Sequence, residues 1–288
     1  MDAHITGRFD LARQNEYFGG WTQPVGDERT IAMAFPVEGW THSAAVLLRQ
    51  SAPDTVEGSA DSPAAWRQAL EVLSLDVDGS GYPEIGDRDP VIGALQREHS
   101  YLRPVLFHSP YEAACAFVIG HRLRIEQGRA IRGRMAREHG ESFTVAGTAV
   151  HAFPTPQRLL RLTSIHGIND EKVARLHGIA EAALEGRLDR ARLRNLPPAE
   201  ALADMKRLRG VGDFFAVGIV MRGAGLVDAV PGDDLTRAGI QRFYGLPAAP
   251  PDAEVARLTN AWRPYRMWCS VLVHASERRA RAGLRAAA

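Results

Sequence analysis

The sequence predicts an α+β protein in two parts, a small antiparallel β-sheet unit with some helix over residues 1–104 and a mostly α-helical region over 105–288. Three observations carry this. Residues 30–35 and 44–48 are short strand-like apolar runs set between Gly, Pro and Asp. From Ser109 onward the apolar residues recur at helical spacing instead. The charge changes at the same border, with 8 Lys/Arg against 16 Asp/Glu in residues 1–104 and 27 against 18 in residues 105–288.

In the first part, a helix is expected from Pro63 to Leu73, and the polar stretch Gln50–Ser62 reads as a surface loop. The stretch Asp76–Asp87 places oxygen-bearing side chains at loop positions 1, 3, 5 and 12 with Gly81 at 6, as a calcium loop would. Pro83 at position 8 and the shorter Asp87 in place of a bidentate glutamate favour a plain acidic turn. In the second part, Ser109 is placed to cap a helix whose first residue is Pro110, with Ala114, Phe117 and Val118 on one face. Further helices are expected over 124–139, 155–163, 170–185, 199–209, 213–223, 234–244, 252–261 and 264–280.

Composition narrows the function classes. The two cysteines, Cys115 and Cys269, supply neither a disulfide framework nor a four-cysteine iron–sulfur or zinc site, and read as reduced core thiols. The N-terminus lacks a basic, apolar and small-residue leader pattern, and no apolar run approaches the length of a membrane span, so a cytoplasmic location is expected. The basic second part suits a polyanionic partner, and scattered arginines on solvated helix faces would give the same balance.

Chemistry concentrates downstream of residue 199. In Leu208-Arg-Gly-Val-Gly-Asp-Phe-Phe-Ala216, two glycines around a β-branched residue allow a tight turn between helices, and the free N–H groups at the next helix start would suit a phosphate. An ordinary helix connection has the same composition. Val227-Asp-Ala-Val-Pro-Gly-Asp-Asp234 then ends in paired acids at another helix start. Either both acids serve the helix terminus, or one caps it while its neighbour faces a cleft.

Taken together, Leu-x-Gly-Val-Gly, Ala216, Met221-Arg-Gly223 and Pro231-Gly-Asp-Asp-Leu235 resemble the helix-hairpin-helix DNA glycosylase superfamily, closest to the bacterial 3-methyladenine DNA glycosylase II (AlkA) type. Ser109-Pro-Tyr-Glu-Ala-Ala114, Phe117-Val-Ile-Gly120, Phe153-Pro-Thr-Pro-Gln157, Ala182-Ala-Leu-Glu-Gly186 and Trp262-Arg-Pro-Tyr-Arg266 agree with it. The resemblance implies a two-subdomain helical glycosylase fold with its hairpin at about 199–223. It implies an enzyme that flips a damaged, alkylated purine out of double-stranded DNA and hydrolyses its N-glycosidic bond, with a glycosylase for another lesion or a non-catalytic lesion-binding protein as the alternatives; a monomer is the simplest assumption for action on a long polymer. A gapless count places the family's catalytic carboxylate on Asp234, with Asp233 as the runner-up if the loop slips by one residue. A buried carboxylate would stabilise the oxocarbenium-like sugar and orient water.

The resemblance also assigns DNA contacts. The amides of Gly210, Val211 and Gly212 would hold a phosphate, with Lys206, Arg207 and Arg209 adding attraction and a monovalent cation compatible with the turn carbonyls. No other cofactor is implied, and an iron–sulfur cluster lacks its cysteines. Relatives that also cut the strand carry a Schiff-base lysine at the position of Phe214, so lyase activity is not expected. Arg122 stands where relatives place an apolar wedge, and His121 where they place a glutamine. Phe214, Gly218 and His274 replace three pocket aromatics, which implies a roomier or more polar pocket. Phe214 and Tyr111 fit either a base pocket or the core. Asp213 would oppose a phosphate, or serve as a helix-start acid.

Overall fold

The computed structural model describes residues 1–18, 23–99, 102–230 and 232–286. Strands β1 (Asp2–His4), β2 (Gln23–Val25), β3 (Asp27–Pro36), β4 (Ser43–Ala52) and β5 (Thr55–Ala60) form one antiparallel sheet in the order β1-β5-β4-β3-β2. Along β3 the side chains alternate between faces. Ile31, Met33 and Phe35 pack with Ala65, Trp66, Ala69 and Val72 of helix α2 (Pro63–Val72). Ala32 and Ala34 cluster with Val150 and Ala152 at a second small sheet, β6 (Ser142–Val145) with β7 (Thr148–His151). Burial on both faces explains why β3 reads as an unbroken apolar run.

Gln50–Ser62 is not a loop. It holds the end of β4 and all of β5, paired through Leu48 with Gly58 and Gln50 with Val56. In β5 only Val56 is buried, and its Thr, Glu, Gly and Ser give it the composition of a turn. The acidic stretch after it is a turn that runs into a short helix at Ile85–Arg88. Asp76 pairs with Arg194 at 2.5 Å, and Asp78 accepts the Ser80 amide at 2.9 Å. Among the described residues no His/Cys/Asp/Glu group could hold a metal ion.

Helices α3 (Ile85–Arg88) and α4 (Pro90–Glu98) leave the sheet and join the C-terminal helices, where Ile85, Ile92 and Leu95 share a core with Trp262, Trp268 and Leu272. Residues 85–95 thus pack with the C-terminal helices, while Val105 returns to the core under the sheet. Asp89 makes this possible by capping α4 through the Val91 and Ile92 amides while its other oxygen accepts the Trp262 indole N–H at 3.0 Å.

Helix α5 (Pro110–Gly120) is the axis of a second helical core. It packs on α6 (Ile125–His139), α8 (Asp170–Leu184) and a π-helical segment, Ile219–Ala224. Ser109 caps it as expected, accepting the Glu112 amide at 3.1 Å, and Ala113, Ala114 and Cys115 are small enough for close approach on several sides. After α7 (Pro156–Leu159) and α9 (Arg190–Asn195) comes the hairpin, α10 (Pro198–Lys206) and α11 (Asp213–Gly218). The helix expected over 213–223 thus widens into the π-helix after Gly218. There Gly223 lies so close to α5 that a Cβ would sit 2.9 Å from the Pro110 Cα. Helices α12 (Asp234–Phe243), α13 (Asp252–Thr259) and α14 (Arg266–Ala286) complete the chain, with α12 against α14. Two helical cores therefore flank a cleft, as the resemblance implies. No helix among the described residues is long and apolar enough to cross a membrane.

Candidate active site

Between the two helical cores lies a cavity of about 380 Å³. Phe117 of α5, Phe214 and Val217 of α11, Met221 of the π-helix, and Met267 and Val271 of α14 form its apolar wall. Gly218 lines it, but the space freed by the missing side chain is taken. A Cβ there would come within 2.2 Å of the Phe117 ring. The roomier pocket expected at Gly218 is thus corrected, because Phe117 on the facing helix supplies the aromatic surface instead. Gly218→Ala is expected to force that ring aside at a cost of about 1–3 kcal/mol, read as a lower urea midpoint. An unchanged midpoint would mean that the ring is free to turn.

The paired acids take different positions. Asp233 is the N-cap of α12, half-buried, and lines the cavity. Asp234 begins the helix, is exposed, and lies outside the cavity wall. Asp233 Oδ1 accepts the Thr236 N–H at 2.8 Å and Oδ2 accepts the Thr236 hydroxyl at 3.2 Å. His274 Nε2 lies 2.7 Å from that hydroxyl oxygen and 3.4 Å from Asp233 Oδ1. Burial pushes the Asp233 carboxyl up, but the His274 hydrogen bond and charge and the two Thr236 bonds outweigh it, holding the group below the usual carboxylate range. An ionised carboxylate therefore faces an apolar cavity at neutral pH. Arg222 lines the same cavity. Burial, reinforced by repulsion from Arg278, pushes its guanidinium down to about 10, which leaves it a cation at neutral pH.

The hairpin turn forms as expected around Gly210, whose φ of +86° lies in the left-handed region that favours glycine. One of the three phosphate-facing amides is corrected. The Val211 N–H donates to the Leu208 carbonyl at 3.0 Å and closes the turn, leaving Gly210 and Gly212 as the candidate amide donors. Lys206, Arg207 and Arg209 are exposed around it. Asp213 pairs with Lys206 at 2.9 Å, which offsets its charge at the turn. Arg175, which sequence reasoning missed, lies directly behind Gly210.

Tyr111 and His121 are not in the cavity wall. Tyr111 is fully buried, packs on Trp40 and Phe153, and donates its hydroxyl to the Pro154 carbonyl at 3.0 Å. Its place on the sheet-facing side of α5 makes it a core residue. His121 caps the end of α5 and lies edge-on to Phe215. Arg122 follows, exposed and with φ of +59°, an uncommon conformation for a non-glycine residue. Lys172 secures this bend by donating to the Ile119 and His121 carbonyls at 2.9 and 2.8 Å. Exposed Phe214 (63%) and Ile125 (64%) add apolar surface near the two turns.

With this geometry in view, comparison with known proteins gives a consistent result. The chain is 23% identical over 205 residues to a DNA-3-methyladenine glycosylase of Bacillus subtilis, covering 69% of this chain and 68% of that protein. Its fold matches a 3-methyladenine DNA-glycosylase of Archaeoglobus fulgidus with a TM-score of 0.79 at 16% identity, covering 96% of this chain and 98% of that one. It also matches the 8-oxoguanine glycosylase/lyase of Clostridium acetobutylicum, solved with double-stranded DNA, with a TM-score of 0.72 at 15% identity and 98% coverage of both chains. No family model matches the chain. The fold is that of the helix-hairpin-helix DNA glycosylases, and in sequence the chain resembles that superfamily's 3-methyladenine type.

Proposed function

We propose that the protein is a monofunctional DNA glycosylase that hydrolyses the N-glycosidic bond of a damaged, alkylated purine of the 3-methyladenine type in double-stranded DNA, opening base excision repair. The observation that carries this reading is the Asp233 carboxylate, ionised and fixed at the mouth of an apolar cavity beside the hairpin. Departure of an already cationic base leaves positive charge on the sugar. A preorganised carboxylate stabilises that charge and orients the attacking water. This moves the catalytic assignment from Asp234 to Asp233. Phe214, at the place of the lyase lysine, offers no amine for a Schiff base, which supports hydrolysis without strand cleavage.

The Gly210 and Gly212 amides with Arg207 and Arg209 would hold the phosphate backbone, and Arg122 would fill the stack left by the flipped base. The chemistry uses only groups of the chain itself. A monovalent cation on the turn carbonyls would brace the hairpin, with the Leu208 carbonyl as one candidate ligand. The enzyme is taken to act as a monomer in the cytoplasm.

Arg222 favours a second reading of the lesion. A half-buried cation in the wall disfavours a cationic base and suits a neutral one with carbonyl oxygens. Purified protein incubated with duplexes containing 3-methyladenine, 7-methylguanine, hypoxanthine or 8-oxoguanine, scored for free base and alkali-labile sites, separates the two. Release from none of them would reject glycosylase activity on these classes. Arg207→Ala and Arg209→Ala are each expected to weaken binding uniformly across sequences and to reduce the salt slope of log K by about 0.9. Unchanged slopes would place the duplex elsewhere.

A further inference from the structure

His274 is an unusual wall for a pocket meant to receive a base, because its hydrogen bonding is turned toward the carboxylate. Its Nε2 lies 2.7 Å from the Thr236 hydroxyl oxygen, and that hydroxyl donates to Asp233 Oδ2. With the threonine proton committed to the carboxylate, the imidazole must give an Nε2–H to the hydroxyl oxygen. The result is a directed chain from His274 through Thr236 to Asp233. Thr236 is fully buried, so water does not compete for the link.

We propose that His274 is a positioning residue for Asp233, acting through Thr236, and that protonation of its imidazole turns the site off by pairing the carboxylate with a cation 3.4 Å away. The inference rests on the reading of Asp233 as the carboxylate that stabilises the sugar. A neutral imidazole orients Asp233 and leaves its charge facing the cavity. A charged imidazole directs that charge onto itself. The other charged groups around His274 do not replace it in either role. From the hairpin, Asp213 sits at the rim paired with Lys206. From the π-helix, Arg222 is already cationic and donates to the Val105 carbonyl. On α12, Arg237 is not in the cavity wall and bonds the Pro250 and Gly232 carbonyls and Asp252. On α14 itself, Glu277 is held by Arg242 and Arg281, and Arg278, one turn on, is exposed.

The test is single-turnover base release with saturating enzyme, from pH 5 to 8, on a lesion that the parent excises. Wild type is expected to lose base release toward the acid end of this range. His274→Gln keeps an N–H donor without a titrating charge. It is expected to stay within about 3-fold of wild type at pH 8 and to hold its plateau down to the carboxylate range. His274→Phe, which removes the donor, is expected to fall about 10- to 100-fold at pH 8 with abasic-site DNA binding unchanged. An acid limb in His274→Gln identical to wild type would overturn the proposal. The coupling is also read without DNA, by NMR titration of the His274 imidazole, whose inflection should move to lower pH in Asp233→Asn. No movement there would overturn it as well. Full activity of Asp233→Asn would instead remove the functional reading beneath it. An inactive Asp233→Asn together with an unaltered acid limb in His274→Gln would remove the inference alone.

Discussion

Asp233→Asn is expected to lower single-turnover base release by at least about 100-fold, or about 2.7 kcal/mol of transition-state stabilisation, while costing much less than that in stability. The two effects separate because the side chain has two tasks. As an N-cap it accepts the Thr236 amide, and asparagine caps about as well as aspartate, so the helix start survives. As an anion it faces the cavity, and an amide cannot replace the charge. Asp234→Asn is the matched control. It is exposed at the first helical position, so it is expected to cost no more than about 0.3–1 kcal/mol of helix-dipole interaction, with release near that of wild type. The reverse pattern, with Asp234→Asn inactive and Asp233→Asn active, would restore the gapless register and reject the geometric assignment. Stability above the acid range follows the same group. Its folded-state carboxyl is depressed, so it stabilises the fold at neutral pH, and that contribution is lost as pH falls through the folded value.

The ambiguity between these two acids shows how far sequence can be read at this site. Both residue types are good caps and both stand at the helix start, and nothing in Pro-Gly-Asp-Asp says which one turns inward. The answer is geometric, since the extended N-cap Asp233 lines the cavity while Asp234, the first helical residue, lies outside its wall. The hairpin itself was legible, because a glycine at Gly210 meets a backbone demand that other residues resist. The Ser109-Pro110 helix start was legible for the same local reason. What escaped depends on contacts between distant segments. Strand β5 looked like a loop because Val56 is its only buried residue. Tyr111 and Phe117 lie on one helix, but the first faces Trp40 and the second fills the space left by Gly218, a distinction set by the opposing elements. The link from His274 to Thr236 spans 38 residues and carries no local signal.

Arg190→Leu is expected to cost about 3–5 kcal/mol of unfolding free energy, the largest stability effect of any single substitution considered. The residue is buried, and its guanidinium joins the sheet unit to the helical body. Nε lies 3.2 Å from Glu38 and 3.3 Å from Glu71, while Nη2 donates to the His108 and Phe107 carbonyls at 2.7 and 3.2 Å. Those carbonyls immediately precede α5, so the same side chain fixes the helix that brings Phe117 to the cavity. Removing it leaves two carboxylates facing each other with their shared cation gone. Burial already pushes the Glu71 carboxyl up, Arg190 pulls it down, and Glu38 pushes it up again. In the variant the larger downward pull is lost and only that of Arg194 remains, so the folded state holds a proton more tightly than the unfolded chain. A carboxyl raised in the folded state makes stability fall as pH rises through the neutral range, because the folded form must then give up that proton or carry an unpaired charge. The deficit of Arg190→Leu, read from urea midpoints, should therefore be larger at pH 8 than at pH 5, and Glu71→Gln added to it should recover part of the loss at pH 8. A deficit of equal size at both pH values would assign the cost to the lost carbonyl bonds of Phe107 and His108 rather than to the carboxylates.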